Sequence, residues 1–212
     1  MKTYDLHVHS KFSYDGAMDP KEIIKIAKKR GLDGVAITDH DTIKGGVKAK
    51  EFETEEFKVI VGAEIKTRRG EILGLFLRKE IASRDPNEVA EKIRSQNGVV
   101  VIPHPFDTFR RGKFSPKEED VDLIDCIEGF NARCIFQGAN EKAMNFAREH
   151  RLGVTAGSDA HLKSEVGNGG IRTHEDNIKN AILQGKVGLF GKRSSPFTHI
   201  KTKVYSWWKI LT

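Results

Sequence analysis

The sequence predicts an α/β fold in a single domain, with about seven buried strands alternating with helices. Three observations carry that expectation. Short apolar runs of strand length recur along the chain, and helix-start signatures fall between several of them; that alternation packs as an α/β sheet. The third is size: 212 residues with 38% hydrophobic and 31% charged side chains supply one core and a charged surface, and fall short of two independent cores. Seven or so strands in one domain favour a barrel, with a doubly wound open sheet as the structural alternative.

The first apolar run, 4–7, has no signal segment before it, and no run approaches the roughly 18 residues of a spanning helix, so a cytoplasmic protein without a transmembrane segment is expected. Asp19-Pro20-Lys21-Glu22 then opens a helix, with Asp as cap, Pro at the first position and a Glu able to return to the cap amide. It should run through Ile23, Ile24, Ile26 and Ala27 to Lys28-Lys29-Arg30, whose cations suit the C-terminal dipole, and end at Gly31. Strands are expected at 34–37, 59–63 and 72–76. Asp85-Pro86-Asn87-Glu88 repeats the helix signature and leads through Ile93 to Asn97-Gly98, directly before a strand at 99–102. A strand at 124–130, a helix from about Asn140 to His150 and a strand at 153–156 complete the pattern. Gly167-Asn168-Gly169-Gly170 reads as a flexible connector. The continuously apolar runs indicate mostly parallel strands.

Metal-competent side chains follow nearly every run: His7-Val8-His9, Asp39-His40-Asp41, Ala63-Glu64, Pro103-His104-Pro105, Glu128-Gly129-Phe130-Asn131 and Ser158-Asp159-Ala160-His161. In a barrel these C-terminal strand ends share one face. His7 and His9, two apart on a strand, point to the same side and can chelate one ion. Any one histidine would be ordinary, but His7, His9, His40, His104 and His161 are five of the eight in the chain. If Asp15, Glu64 and Asp159 converge, carboxylates about 5 Å apart at an effective dielectric of 20 repel by roughly 3 kcal/mol per pair, so cations are required. Imidazole and carboxylate without thiolate suit Zn, Mn or Fe. Cys126 and Cys134 lack zinc-type spacing and read as buried thiols.

Taken in order, HVHS with the following Asp15-Gly16, TDHD, GAE, PHP, EGFN and GSDAH make the chain resemble the PHP (polymerase and histidinol phosphatase) family of metal-dependent phosphoesterases, from His7 to about Gly170. The resemblance implies a distorted (β/α)7 barrel with two or three divalent metal ions. One ion would be held by His7, His9, Glu64 and Asp159, with Glu64 bridging to a second; a further ion would take Asp15, His40 and His161. The second site would use His104 and a residue from the segment around 67–75. Many relatives place a histidine there after a glycine; this chain has Gly70-Glu71, so Glu71 is the candidate ligand and decides between two ions and three.

The expected reaction is hydrolysis of a phosphate ester in a phosphorylated small molecule or nucleotide, by a hydroxide shared between two ions. No catalytic side chain is assigned beyond that water. Ser10 and Ser158 adjoin the ligands without a triad and are expected to support them by hydrogen bonding. Arg133, Arg110 and Arg111 are candidate phosphate-binding groups. The competing expectations are a PHP-type nuclease on DNA or RNA, an amidohydrolase, and a non-catalytic ribonucleoprotein subunit. The amidohydrolase barrels also begin with HxH, but they commonly bridge their metals with a carboxylated lysine.

The net charge of +6 has an address. Residues 186–212 carry six basic side chains and no Asp or Glu, leaving 30 against 30 elsewhere. The expected organisation is a barrel over 1–190 and a basic, aromatic segment over 191–212. Lys201, Lys203, Tyr205, Trp207, Trp208 and Lys209 would either pack their aromatics on the barrel with the lysines in water, or meet a nucleic acid, lipid or protein partner.

Overall fold

The computed structural model describes residues 1–110 and 112–211; the side chains of Gln137, Trp208, Ile210 and Leu211 also lie outside the description. The chain runs β1 (Lys2–Val8), α1 (Pro20–Lys29), β2 (Gly34–Ile37), α2 (Lys44–Lys50), β3 (Lys58–Thr67), β4 (Gly70–Leu75), α3 (Pro86–Ser95) and β5 (Val99–Ile102). A 3-10 turn at Glu118–Leu123 leads to β6 (Cys126–Asn131), α4 (Gln137–Glu149), β7 (Gly153–Gly157), β8 (Gly169–Thr173), α5 (Ile178–Leu183), β9 (Gly188–Gly191) and α6 (Phe197–Leu211). Asp19 and Asp85 cap α1 and α3 as expected, accepting from Lys21 N and from Asn87 N and Glu88 N. Glu22 turns away from its cap to Lys163, at 2.5 Å.

All nine strands form one sheet, ordered β7-β6-β5-β4-β3-β2-β1-β8-β9, which curls into a nearly closed barrel. β1 shares its length between two neighbours. Lys2 to Tyr4 pair antiparallel with β8, while Val8 bridges in parallel to Ala160, just past β7. His9 N donates to Ala160 O and Asp159 N to His7 O, at 2.8 and 2.7 Å, so the two ends of the barrel are sewn together at its mouth.

Two features depart from a regular alternating barrel. β4 is antiparallel to both β3 and β5, because β3 continues past Glu64 to Thr67 and turns back as a hairpin. The segment read as a connector enters β8: a Cβ on Gly170 would lie 2.1 Å from Tyr4 O, and one on Gly169 2.5 Å from Gly157 O. Glycine there permits close backbone approach within the sheet rather than flexibility. The continuous apolar strands are buried on both faces: β2 and β5 have no exposed residue, and the helices cover them with residues such as Ile23, Ala27, Val89 and Ile93.

Candidate metal centre

Five strand ends and one hairpin deliver the site. β1 carries His7 and passes into His9; β2 leads to Asp39 and His40; β5 ends before His104, β6 holds Glu128, and β7 leads to Asp159 and His161. Glu64 lies within β3, at the point where parallel pairing with β2 gives way to a single bridge with His40. Glu71 arrives by the reversal of β4. It pairs with Lys66, and Glu64 pairs with Leu73, so Glu64 and Glu71 are diagonal neighbours on one face of the hairpin. A parallel β4 would start at the opposite end of the barrel.

The structure brings all nine sequence-predicted donors into one pocket. Their ligating atoms fall into four overlapping groups, each within 4.8 Å: His9, Asp15, His40 and His161; His7, His9 and Asp159; His7, Glu64 and His104; and His40, Glu64 and Glu71. Glu64 stands at the centre. Its Oε2 lies 3.4 Å from His9 Nε2, 3.6 Å from His7 Nε2 and 3.3 Å from His40 Nδ1, while Oε1 is 2.9 Å from His104 Nε2. Asp159 Oδ1 is 3.4 Å from His9 Nε2, and Asp15 Oδ2 is 3.0 Å from His161 Nε2 and 3.5 Å from His40 Nε2. Glu71 Oε2 is 3.9 Å from His104 Nε2.

These donors fit divalent cations. Asp15 Oδ1, Glu64 Oε2 and Asp159 Oδ1 are buried without a hydrogen-bond partner, an arrangement that is costly unless a cation meets them. His104 and Asp159 hold left-handed backbone conformations, at φ 31° and 54°, which non-glycine residues adopt under constraint at functional sites. Electrostatics agrees. Burial and the neighbouring His161 and His40 charges push His9 down to about 3, so its ring is neutral. For His40, burial opposes protonation, but Glu64 and Asp15 outweigh it and raise the ring to about 9. Glu71 is pushed up to about 6 by burial and by the Glu64 charge. Cations would therefore displace protons from a pocket that otherwise holds them against its carboxylates.

Several supporting residues escaped the sequence reading. Glu128 Oε1 meets His7 Nδ1 at 2.9 Å, and its Oε2 accepts from His104 N and Asn131 Nδ2, each at 2.9 Å. The Glu128 carboxylate accepts from His7 Nδ1 and turns Nε2 toward the pocket; burial opposes protonation of the ring, but Glu128, Asp159 and Glu64 raise it well above its ordinary value, so a cation at Nε2 would displace a proton. Ser13 Oγ joins His9 Nδ1 at 3.0 Å and accepts from His40 N at 2.9 Å. Ser10 and Ser158 do hydrogen-bond behind the donors, their hydroxyls donating to Asp39 at 2.7 Å and Asp5 at 2.5 Å. The EGFN motif flagged Glu128 as metal-competent at a strand end, but not that it faces the back of His7. Ser13 carried no local signal.

The candidate phosphate-binding arginines separate. Arg110 reaches into the pocket and pairs with Asp159, with its Nε 3.5 Å from Asp107. Arg133 is buried beneath α6, where Nη2 donates to Thr202 Oγ1 at 3.2 Å and Nε lies 3.6 Å from Glu165. Arg111 lies outside the described residues. Cys126 and Cys134 are buried, and burial pushes both thiols up, in keeping with inert core positions. Among the described residues no helix is long and apolar enough to cross a membrane.

Comparison with known proteins bears on family and fold. Residues 5–100 match the PHP domain family and residues 137–187 the PHP-associated family. Two uncharacterized proteins of Methanocaldococcus jannaschii are 42% identical over 60% of this chain and 81% of the relative, and 37% identical over 82% and 72%. A probable histidinol-phosphatase of Thermotoga maritima is 26% identical over 78% of this chain and 87% of its own length. Among solved structures, a two-domain Bacteroides vulgatus protein containing a predicted PHP-like metal-dependent phosphoesterase superposes with a TM-score of 0.74 at 19% identity, over 90% of this chain and 65% of that one. Endonuclease Q, bound to a 27-mer duplex with an abasic lesion, gives 0.59 at 16% identity, over 89% and 57%. At these identities the structural likeness is one of fold.

Proposed function

The chain belongs to the PHP family, and from that premise we propose that its histidine–carboxylate pocket is the active centre of a metal-dependent phosphoesterase acting on a small phosphorylated metabolite or nucleotide. The observation that carries the reading is the convergence of nine donors around buried carboxylate oxygens that have no other partner. Two or three divalent ions, Zn, Mn or Fe by donor chemistry, would supply Lewis acidity toward a phosphoryl oxygen and toward the attacking water. His7, His9, Asp159 and Glu64 would hold one, His104 and Glu71 would share Glu64 to hold another, and Asp15, His40 and His161 a third.

The chain's own residues do the rest. Glu128 and Ser13 fix the His7 and His9 rings from behind, so that Nε2 of each faces the reacting centre. Arg110 stands at the rim beside Asp159, where its guanidinium can turn to the phosphoryl oxygens once cations balance that carboxylate. Arg133 has its charge paired with the buried Glu165 and seats α6 through Thr202. A compact substrate is favoured because α6 lies across the mouth, from Arg133 and Thr202 at one side to Lys209 on the backbone of Lys11 and Ser13 at the other. The similarity to a probable histidinol-phosphatase supports a monoester; the fold shared with endonuclease Q keeps nucleic acid as the second reading.

The test is elemental analysis of purified protein, then assay of mono- and diester phosphates, nucleotides and single-stranded DNA with added Mn or Zn. Turnover of a monoester or nucleotide is expected, with loss in Asp159→Asn and His9→Ala while circular dichroism is retained. Activity that survives thorough chelation, or near wild-type rates in either variant, removes the reading. DNA cleavage without monoester turnover assigns the nuclease instead.

A further inference from the structure

The C-terminal helix is built inside out. Its face toward the barrel is polar: Thr198 and Thr202 are buried, His199 Nε2 lies 3.0 Å from Arg133 O, and Lys209 donates to Lys11 O and Ser13 O at 2.7 and 2.6 Å. Its outward face is apolar. Phe197, Ile200, Val204 and Trp207 are 70, 59, 65 and 75% exposed. At about 100° per residue these four form one stripe, and Lys201 and Lys203 fall on its two flanks. Of the aromatic and basic residues singled out in the sequence, Trp207 is thus exposed and Lys209 meets backbone carbonyls of the barrel. The loops beside the helix repeat the theme, with Phe12 and Tyr14 after β1, Phe109 after β5 and Phe136 before α4 all exposed.

We propose that α6 docks on an anionic lipid surface, its apolar stripe entering the interface and its flanking lysines meeting the headgroups. Charge selects this occupant. α6 carries Lys201, Lys203 and Lys209 and no acidic side chain, so a second copy meeting it face to face through α6 would oppose lysine to lysine. Nucleic acid would match the charge but leave Ile200 and Val204 without a role, since bases stack on aromatic rings. An acidic bilayer satisfies both the stripe and its flanks. Lys209 ties α6 to the 11–13 loop, which carries Ser13 behind His9, so docking would bring the pocket's mouth close to the headgroups.

The experiment is co-sedimentation of the full chain with vesicles of phosphatidylcholine, with and without phosphatidylserine. Binding is expected only with phosphatidylserine, weakening with salt, and falling by about tenfold or more in Val204→Asp and in Lys201→Glu/Lys203→Glu. Circular dichroism should be unchanged in all variants. In a Trp208→Phe background, Trp207 fluorescence should shift to the blue on binding. Equal binding to both vesicles, or to neither, overturns the proposal. So does a dimer in analytical ultracentrifugation that Val204→Asp dissolves, or oligonucleotide binding lost in the lysine variant without any vesicle binding.

Discussion

Replacing Glu128 with Gln changes one oxygen to nitrogen and leaves the shape of the side chain intact, yet the structure gives this substitution a definite cost. One end of the carboxylate accepts from His7 Nδ1, and the other accepts from His104 N and Asn131 Nδ2, all at 2.9 Å. Both ends must accept, and an amide offers an acceptor at only one. If the Gln oxygen faces His7, its NH2 confronts two donors; if it flips, the His7 Nδ1 proton loses its acceptor and the ring loses its orientation. A buried donor without a partner costs about 1–3 kcal/mol. That agrees with the roughly 10- to 100-fold loss of metal affinity usual when a ligand histidine loses its carboxylate, about 1.4–2.8 kcal/mol. The assay is competition for Zn or Mn against a chromophoric chelator, with thermal melting of the metal-free variant to show that it folds. A folded Glu128→Gln protein that binds its ions within about threefold of the wild type would refute the assignment of Glu128 as the group that orients His7.

Three further outcomes follow from the same geometry. A Cβ at Gly112 would lie 2.7–2.9 Å from the Glu71 carboxylate, the movable end of a flexible side chain, so Gly112→Ala should displace Glu71, lower metal stoichiometry by one and leave the fold intact; unchanged stoichiometry in elemental analysis would contradict this. Glu71 holds its proton more tightly folded, at about 6 against 4.5, so in the metal-free protein its contribution to stability is present below about 4.5 and lost as pH rises through about 6. Cation affinity at that position should climb over the same window, and calorimetric titrations at about pH 4.5 and about pH 7, below and above the folded value, should differ in stoichiometry or affinity. Removing bound metal should lower the melting temperature, and restoring Mn or Zn should raise it with metal concentration, because the folded pocket binds and the unfolded chain does so far less; a melting temperature indifferent to metal would count against the site.

Most of the donors were legible because they sit at or just beyond the end of an apolar run, where the hydrophobic pattern marks a strand and the polar break marks its end. His40, His104 and Asp159 follow β2, β5 and β7, and His7 stands at the end of β1. Register was not legible. Nothing in the sequence around Glu71 says that β4 runs antiparallel, yet that reversal is what carries its carboxylate to the mouth. Gly169 and Gly170 suggested a flexible connector because glycine weakens strands, whereas here it is needed for backbone contacts across the sheet that no local pattern records. The role of Glu128 behind His7 and the Ser13 contact with His40 depend on segments far apart in sequence. The outward face of α6 was hidden for a different reason: its stripe looks like an ordinary buried face until the polar contacts of Thr202 and Lys209 show which side meets the barrel.

The divided pairing of β1 has a mechanical consequence. Because β8 occupies only its first half, the seam at the mouth is closed by two backbone hydrogen bonds, from His9 N and Asp159 N, backed by Asp5, which accepts from Ser158 N and Oγ. His9 and Asp159 also supply side chains to the metal cluster. Ion loading would therefore act as a rivet across that seam, and these two amides should become slow to exchange with deuterium when the ions are in place.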